Sequence, residues 1–126
     1  MPYVAIVDDE EGIRKALRRL LRASGLDAHA YATGEEFLSA SAEKRPDCLV
    51  LDLHMPGMSG LQVLRKLKAL GQRLSIVVIT AHDEPETRKQ CMSAGADAYL
   101  RKPLEDRLLL NAISAAMRTV SCSAQS

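Results

Sequence analysis

Aromatic side chains are scarce in this chain, which has three Tyr, one Phe and no Trp in 126 residues. Its interior must be closed by aliphatic groups, and it offers no row of aromatics on which unpaired bases would stack. Excess charge is lacking too. Seventeen Lys and Arg face sixteen Asp and Glu, a net charge of +1, so the whole-molecule field gives no reason to expect direct binding to nucleic acid or a membrane surface. Three cysteines, Cys48, Cys91 and Cys122, make no CxxC pair, and their odd number argues against a secreted disulfide framework; a reducing cytoplasmic setting is expected. No apolar run approaches the roughly 18 residues of a membrane span. The opening "MPYVAIVDDE" has neither a basic leader nor a long apolar segment, so neither export nor insertion is expected.

What the chain does have is an alternation of two periodicities. Strand-length apolar runs occur at Tyr3 to Val7, Ala28 to Ala32, Cys48 to Leu51, Ile76 to Thr80 and Ala98 to Leu100. Each is followed by a stretch of helical spacing. In the first such stretch Ile13, Ala16, Leu17, Leu20 and Leu21 form one stripe, and Arg14, Lys15, Arg18, Arg19 and Arg22 take the other side. Later helices are expected over Glu35 to Ser41, Gly60 to Leu70, Glu84 to Ala94 and Leu104 to Met117, with Gly25, Gly71 and Gly95 as stops. Strands one, three and four are almost wholly apolar, as central parallel strands covered on both faces must be. Right-handed crossovers then predict an α/β fold, a doubly wound (βα)5 parallel sheet of flavodoxin-like order 2-1-3-4-5. One domain over residues 1–120 is expected, with 121–126 as a short, frayed polar tail.

The segment "CLVLDLHMPGMSG", Cys48 to Gly60, ends a buried strand on a carboxylate. In such sheets ligands bind beyond the carboxyl ends of the strands, where the order reverses between strands one and three. Strand one runs into Asp8 and Asp9, strand three into Asp52, strand four into Thr80, and strand five into Lys102 and Pro103. Close carboxylates repel by roughly 1 to 4 kcal/mol per pair, depending on the effective dielectric. Lys102 supplies one compensating charge, and a hard divalent cation supplies two more. Oxygen donors with no thiolate or paired-imidazole alternative point to Mg²⁺. A carboxylate so screened can take up a phosphoryl group as an aspartyl phosphate, with Thr80 and Lys102 donating hydrogen bonds to its oxygens.

Asp8-Asp9 after strand one, "LDLHMPGMSG" around Asp52, "ITA" at Thr80 and "AYLRKP" ending on Lys102-Pro103 together resemble the receiver domain of two-component response regulators. The resemblance covers residues 3–119, and "YATGEEFL" and "MPGMSGL" are most similar to the FixJ type of receiver. It implies that Asp52 accepts phosphate from the phosphohistidine of a histidine kinase or phosphotransfer protein. It implies that Asp9, Asp52 and the backbone carbonyl of His54 hold Mg²⁺, with Asp8 acting through the metal's waters. Lys102 would pair with the phosphoryl group, Thr80 would shift toward it, and Tyr99 would be the switch aromatic that moves inward. A cis Lys102-Pro103 peptide is implied as well, and helix one would help to dock the kinase.

Single residues have plainer readings: Asp8 and Asp9 as helix caps, Thr80 as a β-branched strand residue, Tyr99 as a core or rim packer, and Lys102 as a solvated lysine. The matching strand ends weigh against these. Two other classes share parts of the pattern. A flavodoxin-like ligand binder needs a glycine-rich phosphate loop where "VDDEEG" stands, and an aspartyl-phosphate phosphatase of the haloacid dehalogenase class needs DxDxT there. No enzyme activity is expected beyond self-phosphorylation and self-dephosphorylation at Asp52. Since no helix-turn-helix or catalytic segment follows helix five, output is expected from the surface of helix four, strand five and helix five. That surface would bind a downstream protein or a covalently linked output domain, the chain being a monomer or a phosphorylation-dependent homodimer. His54 and His82, two residues after Asp52 and Thr80, are read as bordering the phosphoryl group, with no role as a required base.

Overall fold

The computed structural model describes residues 2–72 and 74–125, with side chains described through Arg118. Five βα units follow one another: β1 (Tyr3–Val7), α1 (Glu11–Ala23), β2 (Asp27–Tyr31), α2 (Gly34–Glu43), β3 (Cys48–Asp52), α3 (Gly60–Ala69), β4 (Ser75–Thr80), α4 (Pro85–Ser93), β5 (Ala98–Arg101) and α5 (Asp106–Gln125). The strands form one parallel sheet in the order β2-β1-β3-β4-β5, as the two periodicities predict. β2 starts one residue earlier than its apolar run, because Asp27 pairs with Tyr3 in the ladder and its amide donates to the Pro2 carbonyl. α5 runs past Met117 to Gln125. The side chain of Cys122 lies outside the described residues, while Cys48 and Cys91 are buried free thiols.

The apolar runs resolve into strict alternation across the sheet. Tyr3, Ala5, Val7, Leu49, Leu51, Ile76 and Val78 face one layer with Phe37 of α2, Val63, Leu64 and Leu67 of α3, and Cys91 of α4. Val4, Ile6, Val50, Val77 and Ile79 face the other, with Leu17 and Leu21 of α1 and Leu109 and Ile113 of α5. β1, β3 and β4 are buried on both sides, and the edge strands β2 and β5 are only partly covered. The core is aliphatic but for Phe37 and Tyr3.

Local chemistry starts and stops the helices. Thr33 caps α2 by accepting from the Glu36 amide, and Ser59 and Gln62 close a reciprocal capping box on α3. Gly25 ends α1 at φ +85°, its amide donating to the Arg22 carbonyl while the Leu26 amide donates to Leu21, the left-handed stop that glycine takes without strain.

Gly60 sets how closely α3 approaches the end of β3. At the start of that helix its amide donates to the Leu53 carbonyl at 3.0 Å, and a Cβ there would stand 2.5 Å from the Asp52 carbonyl oxygen and 2.8 Å from the Leu53 Cα. The helix rests directly on the backbone that carries Asp52. Gly60→Ala must push that contact apart, at an expected cost of about 1–3 kcal/mol. A thermal melt should fall by roughly 3–12 °C; an unchanged melting temperature would show that the close approach constrains nothing.

Candidate functional site

Strand register sets the site before any side chain does. Val7 pairs with Leu51, so Asp8 and Asp52 leave the sheet side by side. Asp52 pairs with Ile79, one residue before Thr80, and Thr80 pairs with Arg101, one before Lys102. The Lys102 amide donates to the Thr80 carbonyl at 2.7 Å, and the Lys102–Pro103 peptide is cis. Four strand ends thus deliver two carboxylates, a hydroxyl and an ammonium to one edge.

The Lys102 Nζ lies 3.0 Å from Asp8 Oδ2, 3.5 Å from Asp52 Oδ1 and 3.9 Å from Glu10 Oε1. The Asp8 side chain is 0% exposed, Asp52 4% and Lys102 12%, so this is no solvated lysine. Asp8 is satisfied at its other oxygen as well, Oδ1 accepting from the Glu10 amide at 2.9 Å, and Arg14 Nη1 donates to the Asp8 carbonyl at 2.8 Å. Glu10, not Asp8 or Asp9, is the N-cap of α1, and it makes no side-chain cap bond.

Carboxylate oxygens of Asp8, Asp9 and Glu10 lie within 4.8 Å of one another. Asp9 is exposed, and among the described residues it has no hydrogen-bond or ion-pair partner. A hard cation at this edge would meet oxygen donors with an unused carboxylate among them, which fits Mg²⁺. Sequence reasoning missed Glu10, whose signal was present in the acidic run "VDDEE". It also missed Arg14 as the residue that fixes the Asp8 backbone.

Burial raises the Asp52 carboxyl, and the neighbouring Asp8 charge raises it further; the Lys102 ammonium and the His54 backbone pull it back only in part, leaving it at about 6 against an ordinary 3.8. Burial by itself would lower Lys102, but the Asp8 hydrogen bond and the charges of Asp52, Asp8 and Glu10 outweigh it and leave the ammonium more firmly protonated.

Thr80 is fully buried, and its hydroxyl is engaged with its own loop. Oγ1 donates to the His82 carbonyl at 3.1 Å and accepts from the His82 amide at 3.0 Å. The exposed rings of His54 and His82 meet edge to face with centroids 5.1 Å apart. Tyr99 is half-buried against the core layer of α2, α3 and α4, with the Arg88 guanidinium 5.5 Å from its ring centroid. Its Oη is shielded from solvent and, among the described residues, makes no well-formed hydrogen bond; burial raises the phenol and the nearby Glu84 backbone offsets this only in part.

A parallel (βα)5 sheet whose strand ends gather acidic residues, a threonine and a lysine defines a class, and comparison with known proteins agrees with it. Residues 4–114 match the family described as the response regulator receiver domain, and the chain belongs to that family: it is a receiver domain of a two-component response regulator. The response regulator MprA of Mycobacterium sp. (strain KMS) is 40% identical over 118 residues, covering 94% of this chain and 51% of the relative. The chain thus spans about half the length of the curated relatives it matches. Among solved structures, the FixJ N-terminal domain superposes with a TM-score of 0.87 at 37% identity, covering 94% of both chains. A response regulator receiver protein from Burkholderia phymatum gives 0.80 at 43% identity, over 93% of this chain and 95% of that one. Mg²⁺ binding at an acidic pocket is general to the family. Among the described residues no helix is long and apolar enough to cross a membrane.

The raised Asp52 value carries a stability consequence of definite sign. Between about pH 4 and 6 the native carboxyl keeps a proton that the unfolded chain has released. Its contribution to stability therefore falls as pH rises through that window and stays unfavourable above it. Asp52→Asn removes the penalty. In metal-free buffer at about pH 8 the variant should be more stable than wild type by about 2–3 kcal/mol at most, and the difference should close towards pH 4. Parallel denaturant titrations at the two pH values check this; a variant less stable at the higher pH would contradict it.

Proposed function

We propose that Asp52 is the phosphoacceptor of this receiver and that the Lys102 contacts with Asp8 and Asp52 are the observation carrying that reading. A group that takes up phosphorus must be ionised, close to positive charge, and shielded from bulk water. Asp52 satisfies all three, since a carboxyl titrating at about 6 is mostly ionised at neutral pH. Its Oδ forms the new O–P bond as the P–N bond of a phosphohistidine breaks, and the departing imidazole keeps the N–P electron pair. Asp9, Asp52 and the His54 carbonyl are the proposed ligands of Mg²⁺, with Asp8 acting through its waters and Glu10 standing beside them. Mg²⁺ held by these oxygens would supply two positive charges to offset the negative charges of an incoming phosphoryl group. Lys102 then exchanges its carboxylate partners for a phosphoryl oxygen.

The donor is a histidine kinase or phosphotransfer protein. A cleft of about 510 Å³ supports this. It is lined by Ile13, Leu17 and Leu20 of α1 together with Lys102, Pro103 and Leu104, and it offers an apolar seat for a partner helix beside the acceptor.

Output follows from Thr80 and Tyr99. For Thr80 to bond the phosphoryl group its hydroxyl must leave both bonds to His82, each worth about 0.5–1.5 kcal/mol net. That exchange gives the β4–α4 loop two arrangements, and phosphorylation, adding about −1.5 to −2 charge, biases between them. Tyr99 of β5 packs on the α4 side of the sheet with Arg88 over its ring, and Met92 of α4 and Leu108 of α5 are exposed. The surface of α4, β5 and α5 is the proposed contact for a downstream protein, a linked output domain or a second copy after phosphorylation. The functional unit is residues 1–120 acting in the cytoplasm, with no direct contact to nucleic acid and no catalysis beyond turnover of its own aspartyl phosphate.

Acetyl phosphate with Mg²⁺ should add about 80 Da, the mass of one phosphoryl group replacing a hydrogen, to wild type and nothing to Asp52→Asn when intact mass is read. Labelling of Asp52→Asn, or labelling of wild type undiminished by a chelator, would overturn the assignment. Lys102→Ala should bind Mg²⁺ at least as well as wild type while labelling at least tenfold more slowly, because it removes a competing cation from the carboxylates and a donor from the phosphoryl group. Mg²⁺ titrations alongside the labelling time course check both halves.

A further inference from the structure

The imidazoles of His54 and His82 play no part in the chemistry above, yet the fold brings them together from separate elements. His54 leaves the end of β3 and His82 the end of β4, both rings are exposed, and their centroids are 5.1 Å apart at an interplanar angle of 85°. Zinc-class ions bind imidazole nitrogen at about 2.0–2.1 Å in tetrahedral geometry, which places the centroids of two imidazoles sharing one ion roughly 5 Å apart. The observed separation, an ordinary one for an edge-to-face ring pair, also matches that distance. To share an ion the rings must rotate out of the edge-to-face arrangement, which the broad final torsion of histidine allows.

We propose that His54 and His82 form a two-imidazole site for a zinc-class divalent transition ion, separate from the hard-oxygen Mg²⁺ site, and that filling it restrains the switch. Ligand type keeps the two ions apart, since imidazole selects zinc, copper and nickel whereas carboxylate and carbonyl oxygens suit magnesium. Asp8 and Asp52, the buried carboxylates nearby, are held by Lys102, so water completes the coordination of the second ion.

The restraint follows from His82's backbone, because both its amide and its carbonyl bond Thr80 Oγ1. An ion joining the two rings ties the β4–α4 loop to the segment after β3. It thereby holds the threonine hydroxyl in the loop and away from Asp52. This second half rests on the proposed role of Thr80; the metal site itself does not.

Calorimetric titration of Zn²⁺ into the full chain, in saturating Mg²⁺, tests the site. Wild type should bind one ion, and His54→Ala, His82→Ala and the shape-preserving His82→Gln should each bind at least tenfold more weakly. Equal affinity in all four proteins would place the ion on the carboxylates and overturn the site. Acetyl phosphate labelling in Mg²⁺, with and without one equivalent of Zn²⁺, tests the restraint. Zn²⁺ should slow labelling of wild type several-fold and leave the rate of His82→Gln unaltered relative to its own zinc-free rate. Zinc bound by wild type with no such slowing would overturn the coupling. Failure of the phosphoacceptor reading is separately visible, as an absence of labelling in Mg²⁺ alone.

Discussion

A single ammonium group holds the carboxylates of this protein at one edge of its sheet. Asp8 and Asp52 are almost wholly removed from water, and two close carboxylates there repel unless something positive stands between them. Lys102 stands there, and its placement is a backbone matter: the β4–β5 ladder and the bond from the Lys102 amide to the Thr80 carbonyl deliver it. The compensation is incomplete, which is why Asp52 remains raised. A buried ion pair of this kind is a poor source of net stability. What the arrangement retains instead is a carboxyl held close to neutral pH, with the exposed carboxylates of Asp9 and Glu10 on the same edge.

The second feature of the edge is that its hydroxyl and its charge belong to different strands and are held differently. Lys102 points into the carboxylates, whereas Thr80 is turned into its own loop by two bonds to the His82 backbone. A site whose donors were all already aimed at the acceptor would bind phosphate without reporting it. On the proposed reading the report requires Thr80 to change partners, and the loop that would yield leads into α4, the helix whose Arg88 covers Tyr99.

The sequence displays the fold almost completely because apolar content in a doubly wound sheet has to follow the strands. "YVAIV", "CLVL" and "IVVI" are central for the reason they are apolar, and the structure divides each between two core layers that a run of like residues does not distinguish. Boundaries were less legible where backbone pairing decides them, as at Asp27, whose place in β2 is set by Tyr3 and Pro2 and not by hydrophobicity. In the site, residue types at strand ends were readable and their partners were not. Glu10 reads as the start of a helix until Lys102 is seen 3.9 Å away. The Thr80–His82 bonds and the His54–His82 contact depend on loop geometry that no spacing encodes.

Lys102 sets the ionisation of Asp52 against burial and the charge of Asp8, and the rest of the site depends on that balance. Carbon-13 NMR titration of the Asp52 carboxyl in metal-free protein measures it directly. A midpoint near 6 is predicted in wild type and a higher one in Lys102→Met, where only the His54 backbone still opposes burial and the neighbouring carboxylate. A wild-type midpoint near the ordinary 3.8, or one indifferent to the residue at 102, would contradict it.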